Sequence, residues 1–401
     1  MSKRRPIDVP DYRARHYFER LEKFLGTKGI ERRLARVERE IRSERGIYLL
    51  EWVLPRNAWW LGLKDARDLM CKGGSFRGAL TPLMEKPLQT AVVLSRLHTS
   101  TPDWKKEEFR SRILSDDIIE PTLFEIDSAT HWHQLGYDIQ WFESGAESGK
   151  RTPEFTATRG GSELEVECKA KQADSGRRVE RAAFYRAVDR FMPTMERRSL
   201  SGTLFLTVPV RLPVDDAWQD EVIEALETHV HLGMGSHRLT DGSFLEYNLQ
   251  KAEGTKITSR GLAESLDMQS HPYAHFALTG ERHGDVIVNP LMLRLESQKT
   301  DHFLQNVLTS LRDAESQFSG ARAGVISCRI PDIDSFEGLQ ADSAIQQMTH
   351  KFFDVYCRDC IYAVTYVAEA KREVEGRVVL SDMPALRFRS NSYNRRFGDD
   401  F

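Results

Sequence analysis

Residues 135–171 read LGYDIQWFESGAESGKRTPEFTATRGGSELEVECKAK, and the period of that stretch decides the fold class. Three segments alternate polar and apolar residues with period two: YDIQWF at 137–142, PEFTAT at 153–158 and ELEVECKAK at 163–171. Such alternation marks strands with one face on a core. Gly- and Ser-rich turns at 144–150 and 159–162 separate them. Ahead of the first strand, 118–135 (IIEPTLFEIDSATHWHQL) has helical spacing. Pro121 falls in its first turn, where the missing N–H costs little, and Gly136 is placed as a left-handed cap. Residues 177–191 return to helical spacing, and TLFLTVPV at 203–210 is an apolar run short enough for a buried strand. The predicted order is helix, three strands, helix, strand.

Working outward, residues 11–110 are helical in pattern and rich in long side chains. Leu34, Val37 and Ile41 recur at spacings of three and four, on one helix face with the arginines outside. Downstream, 214–401 alternates helices at 214–230, 300–317 and 341–357 with strands near 243–250, 285–295 and 323–330 and further strands late in the chain. The expected class is therefore α/β (α+β), with a helical N-terminal domain at 1–112, a C-terminal mixed α/β region at 214–390 and a flexible tail at 391–401.

Composition excludes several classes. The chain has 401 residues, 40% apolar and 29% charged, so it is neither collagen-like nor wholly disordered. With 57 basic and 60 acidic residues the net charge is −3, and nucleic acid could not be bound by bulk charge. Residues 1–45 carry 14 Lys/Arg against 8 Asp/Glu, a local excess read as a solvated helical surface. Five cysteines make no disulfide framework, which suits a reducing compartment. The start, MSKRRPIDVPDYRAR, has no apolar stretch behind its charges, and no window reaches 18 apolar residues. The expectation is a cytoplasmic protein with no membrane partner.

In the third strand the alternation puts Glu163, Glu165, Glu167, Lys169 and Lys171 on one face and Leu164, Val166, Cys168 and Ala170 on the other. A row of charges is commonly a solvated sheet face. Here, however, Thr-Pro-Glu-Phe opens the second strand, with Glu154 on a face with Thr156 and Thr158. If the two strands pair, two carboxylates and an ammonium converge. Hard carboxylate oxygens suit Mg²⁺, which keeps several waters and takes other ligands from phosphate, and it lowers the pKa of a bound water. A nearby lysine can orient that water or offset charge in the transition state.

Pro153-Glu154, followed by Glu167-Cys168-Lys169 in the order read above, resembles the PD-(D/E)XK nuclease superfamily with its restriction-endonuclease-like αβββαβ core. The resemblance covers about 118–212 and implies a nuclease core at 113–213. It implies Glu154 and Glu167 as metal ligands, the backbone carbonyl of Cys168 as a further ligand, Lys169 as the catalytic lysine, and Glu125 as an acidic residue from the preceding helix, with Asp127 as the fallback. The cofactor would be Mg²⁺, with Mn²⁺ as a substitute. Glu154 stands where the family name has Asp, an extra methylene that Mg²⁺ geometry tolerates poorly unless the backbone compensates. On the following helix Arg177, Arg178, Arg181 and Tyr185, together with Lys171, are the candidate nucleic-acid contacts; Arg181 and Tyr185 are similar to the Gln-to-Tyr pair of RecB-like members, with Arg in place of Gln.

Other motifs carry less. GAESGKR at 145–151 has three residues between its glycines where a phosphate loop needs four, and Arg151 where Ser or Thr should hold magnesium. Cys357 and Cys360 have zinc or redox spacing but no second pair. His131/His133 and His229/His231 sit two apart on helical segments and so point to different sides. Trp59 and Trp60 read as core rather than a base-stacking platform.

The expected function is Mg²⁺-dependent hydrolysis of DNA, in restriction or anti-phage defence by analogy with multidomain nucleases of this kind. An NTPase or sensor, if one takes part, would be a separate subunit, and the resemblance admits a homodimer. The alternatives are a catalytically inactive binding or scaffold subunit on the same fold, and an RNase.

Overall fold

The computed structural model describes residues 11–43, 53–54, 56–115, 118–143, 152–172, 174–212, 216–258, 261, 275–283, 286–330, 343–368, 370–374, 377–381 and 385–390. The chain is mixed α/β. Among the described residues it opens with the helices α1 (Asp11–Leu25), α2 (Thr27–Ser43), α3 (Ala58–Cys71), α4 (Pro82–Leu97), α5 (Asp103–Ser115) and α6 (Glu120–Gln134). Strands β1 (Asp138–Trp141), β2 (Phe155–Arg159) and β3 (Ser162–Ala170) follow. Next come α7 (Arg181–Arg197), β4 (Leu200–Val208), α8 (Asp216–Thr228), β5 (Gly233–Arg238), β6 (Phe244–Lys251), β7 (Lys256–Thr258), β8 (His275–His283) and β9 (Val286–Ser297). The chain closes with α9 (Phe303–Glu315), β10 (Ala323–Arg329), α10 (Ser343–Lys351), a π-turn at Phe352–Tyr356, and β11 (Ile361–Val367), β12 (Ala370–Val374), β13 (Arg377–Ser381) and β14 (Ala385–Arg389). Among the described residues no helix is long and apolar enough to cross a membrane.

Two compact units divide the chain: 1–39, 56–175 and 304–401 form one, and 40–55 with 176–303 form the other. The divisions expected near 112 and 213 are not where the chain divides. Helices α1–α6 belong with β1–β3, and Trp59 and Trp60 are core there, with Trp59 Nε1 donating to Thr90 Oγ1 at 3.0 Å.

The first unit's sheet runs β1-β2-β3-β10-β11-β14. β1, β2 and β3 form an antiparallel meander, β10 lies parallel to β3 and β11, and β14 closes the far edge antiparallel. A parallel pair needs a crossover of a dozen or more residues. Between β3 and β10 that crossover contains residues 176–303 of the second unit, followed by α9.

This corrects the expected core. The helix and strand read at 177–191 and 203–210 exist as α7 and β4, but β4 pairs with β6 and β9 in the second unit's own sheet, β5-β6-β4-β9-β7 with β8 on β9. There Phe184, Val188, Phe191, Leu204 and Leu206 share one core. The helix and strand that follow β3 in its own unit are α9 and β10, about 130 residues later in the chain. Period identifies an element and says nothing of its neighbour. β10 (AGVISCR) is buried along nearly its whole length, as befits a central strand between parallel neighbours.

The β2–β3 hairpin fixes the register that matters for the site. Arg159 faces Ser162, so the loop is Gly160-Gly161, both with positive φ at +59° and +87°. Two residues of that hand make the hairpin turn whose twist matches the strands, and glycine adopts it without a Cβ penalty. Replacing both glycines with alanine should cost about 2–4 kcal/mol from left-handed strain, measured as a lowered denaturation midpoint. A slip of one residue in compensation would carry Glu167 to the opposite face.

Candidate active site on the first sheet

Pairing from that turn puts Phe155 across from Val166, both fully buried, and the Glu154 amide donates to the Val166 carbonyl at 3.0 Å. Glu154 lies one residue before β2, with its carboxyl near enough to Glu167 for the two charges to act on each other. Phe155 and Val166 point into the core against α6, and along β3 Glu165 and Glu167 face the other way; that alternation does not apply to Glu154, outside the strand. Lys169, two residues along β3, brings its Nζ to 2.6 Å from Glu167 Oε1. The pairing on which the sequence reading depended is therefore present.

The charged row of β3 is not a solvated face. Glu165 and Glu167 are each 1% exposed. Glu165 is fully engaged: it accepts from Ser319 N at 2.8 Å and Ser319 Oγ at 2.6 Å, and Arg322 pairs with it and with Glu163. Those two carboxylates latch β3 to the turn between α9 and β10. Glu167 is different: Lys169 pairs with its Oε1, and its other side-chain partner is the uncharged Gln317 amide.

Helix α6 carries Glu125 to the same place, 1% exposed. Its Oε2 accepts from Arg112 Nη1 at 2.7 Å, and its Oε1 lies 2.6 Å from Lys105 Nζ, an ion pair whose angles fall short of a hydrogen bond. Lys105 also lies 3.1 Å from Glu108 and 3.9 Å from Glu154. Its ammonium is walled by the rings of Phe109, 4.8 Å to the centroid, and Trp141, 5.2 Å. Four carboxylates (Glu108, Glu125, Glu154, Glu167) thus meet three cations (Lys105, Arg112, Lys169).

Titration follows from that imbalance. Burial, then Glu125 and Glu167, push the Glu154 carboxyl up to about 9, so it keeps its proton at neutral pH. Its side chain is 29% exposed, yet both neighbouring carboxylates act in the same direction as burial. Glu167 is also raised, chiefly by burial, with Lys169 pulling it back. Burial pulls Lys105 and Arg112 down, but Glu125 and the other carboxylates more than offset it, and both end above their ordinary values. The Cys168 thiol is pushed well up by burial beside Glu154, as a residue contributing no nucleophile should be.

Lys171 lies near enough to Lys169 for the two charges to act on each other. Lys171 sits just past β3, its amide donating to the Arg329 carbonyl and its pKa lowered by burial. Arg177, Arg178, Arg181 and Tyr185 belong to the second unit, not to the sheet that carries Glu154 and Glu167. Arg177 pairs with Asp301 at 3.5 Å over the Phe303 ring, Arg178 donates to the Ser297 carbonyl at 2.8 Å, and Tyr185 packs on Phe184. The 145–151 motif and the 391–401 tail lie outside the described residues. Cys357 and Cys360 are free thiols, the former directly after the π-turn.

Sequence reading missed Lys105, Glu108 and Arg112. The signal was in DWKKEEFRSRILS: Lys105, Phe109 and Ile113 recur every four residues and are the buried residues of α5. A lysine in step with two core positions faces inward.

Among the described residues no three His, Cys, Asp or Glu side chains are grouped so as to hold a metal unaided. Glu154 and Glu167 still fit a hard divalent ion. They offer carboxylate oxygens short of positive charge: Glu167 has Lys169 on one oxygen and the uncharged Gln317 amide besides, and burial with neighbouring carboxylates keeps Glu154 protonated. Mg²⁺ is commonly bound by one or two carboxylates with waters and phosphate completing its shell. Comparison with protein-family models, with curated proteins and with solved structures gives no match.

Proposed function

We propose that the chain is a divalent-metal-dependent nuclease that hydrolyses phosphodiester bonds of DNA on a restriction-endonuclease-like core. The supporting order is α6-β1-β2-β3-α9-β10, with residues 176–303 of the second unit inserted after β3. The observation that carries the reading is the nearness of Glu154, Glu167 and Lys169 where β2 and β3 begin to pair: the charges of Glu154 and Glu167 act on each other, and Lys169 pairs with Glu167.

Glu154 and Glu167 would hold the ion, with the Cys168 carbonyl as the further ligand that the resemblance implies. When bound, Mg²⁺ offsets phosphoryl charge and acidifies a water. Lys169, 24% exposed and anchored by Glu167, presents a fixed ammonium to the open side. There it can orient a water and oppose the negative charge that develops on phosphorus oxygens. Lys105 and Arg112 hold Glu125 behind the strand pair and neutralise it.

The test is cleavage of DNA and of RNA by the full chain with Mg²⁺ or Mn²⁺, against an EDTA control. Metal-dependent cleavage of DNA supports the proposal. Cleavage of RNA alone makes the protein an RNase, and an inert wild type leaves a nuclease-fold binding subunit.

Ion loading should depend on pH. The Glu154 carboxyl ionises near 4.5 unfolded and about 9 folded, so between those values the folded state keeps a proton that the unfolded state has lost. Its contribution to stability without metal therefore falls as pH rises through that window. An ion must displace that proton, so affinity rises up to tenfold per pH unit toward 9. Calorimetric titration of Mg²⁺ between pH 6.5 and 9 checks this, and an affinity flat with pH would contradict it.

A further inference from the structure

Lys105 occupies an unusual position for a lysine: 1% exposed, 2.6 Å from Glu125, 3.1 Å from Glu108 and 3.9 Å from Glu154. An ammonium surrounded by three carboxylates occupies the kind of place that a metal ion takes in a carboxylate cluster. We propose that Lys105 is a tethered cation standing in for a second metal, so that the site takes one divalent ion, on the Glu154/Glu167 side, and Glu125 serves Lys105 and Arg112 rather than the ion. This rests on the metal-dependent reading above and specifies its stoichiometry.

Three observations support the assignment. Both Glu125 oxygens already lie within 2.7 Å of a cationic nitrogen, Lys105 on one and Arg112 on the other. A dication brought to that carboxylate would meet two fixed positive charges at close range. Lys105 is also held from behind. Phe109 and Ile113 bury the same face of α5, and the rings of Phe109 and Trp141 flank the ammonium, so leaving would cost it both aromatic and ionic partners. On the other side, Glu167 pairs with Lys169 through Oε1, and its other side-chain partner is the amide of Gln317, which brings no charge. The unmet demand for positive charge is therefore at Glu154 and Glu167. Lys105 is a positioning residue in this scheme: it reaches carboxylates and no reacting atom.

The test counts ions. Mn²⁺ titration of the full chain above pH 8, read by calorimetry and by electron paramagnetic resonance, should give one ion per wild-type chain with a mononuclear six-line signal. Lys105→Met removes the tethered cation and should raise the count to two, with the six-line signal broadened by the neighbouring spin. Should that variant fail to fold, Lys105→Met/Glu108→Gln removes one charge of each sign and keeps Glu125 and Glu154; it should also bind two. Lys105→Arg should stay at one. Two ions on the wild type, or one on a folded variant lacking the ammonium, overturns the proposal. No ion on the wild type removes the metal-dependent reading itself, and this inference with it.

Discussion

Changing Lys169 to alanine lowers metal-dependent cleavage by roughly 10²–10³-fold, the usual cost of deleting one preorganised charged group aimed at a developing anion. Folding should survive. The side chain is partly exposed, and it pairs with Glu167. Loss of that pair leaves Glu167 with fewer positive neighbours, so its carboxyl should rise further, and ion binding should weaken at neutral pH while recovering as pH rises. Single-turnover rates and ion affinity, measured on the same preparation over pH, separate the two effects. A rate unchanged by the substitution would remove Lys169 from the chemistry.

Glu125→Ala should be the most destabilising change in the cluster, at roughly 3 kcal/mol. Removing one partner of a buried ion pair leaves an uncompensated charge, for which about 3–5 kcal/mol is typical. The low end applies because Lys105 keeps Glu108 at 3.1 Å and Glu154 at 3.9 Å, and Arg112 keeps Glu108 at 3.2 Å. Urea unfolding should show a lower midpoint with an unchanged slope. Glu125→Gln should recover part of the loss by accepting one hydrogen bond from Arg112. Equal stability of the alanine variant and the wild type would mean that Lys105 finds another counter-charge or becomes hydrated.

What the sequence disclosed was local. β1, β2 and β3 were legible within two or three residues because period two and the Gly160-Gly161 turn are both written in consecutive residues. The same turn, counted outward, pairs β2 with β3 as far as Phe155 and Val166 and so brings Glu154 and Glu167 to the same end of the hairpin. The partner of β3 could not be read that way. β10 shows as an apolar run at 323–329, but nothing in its residues says that it joins β3 rather than β4, and residues 176–303 of the second unit intervene. The helix and strand nearest in sequence, α7 and β4, supplied the expected pattern and belonged to another sheet. The expected nucleic-acid contacts Arg177, Arg178, Arg181 and Tyr185 were read on that helix and the residues leading into it, which belong to the second unit.

Lys105 shows the other limit. Its partners come from α5, α6 and the start of β2, brought together only by packing, and a basic, acidic helix such as DWKKEEFRSRILS reads as solvated. Its four-residue spacing from Phe109 was the available clue. The sequence reading of Glu125 was made without that lysine, which lies 2.6 Å from its carboxylate.

The most direct measurement is anomalous scattering from crystals soaked in Mn²⁺ above pH 9, where the Glu154 carboxyl ionises. We expect a peak within coordinating distance of both the Glu154 and Glu167 carboxylates, with Lys169 alongside. Saturating Mn²⁺ that leaves that position empty, or a peak coordinated by neither carboxylate, would contradict the account.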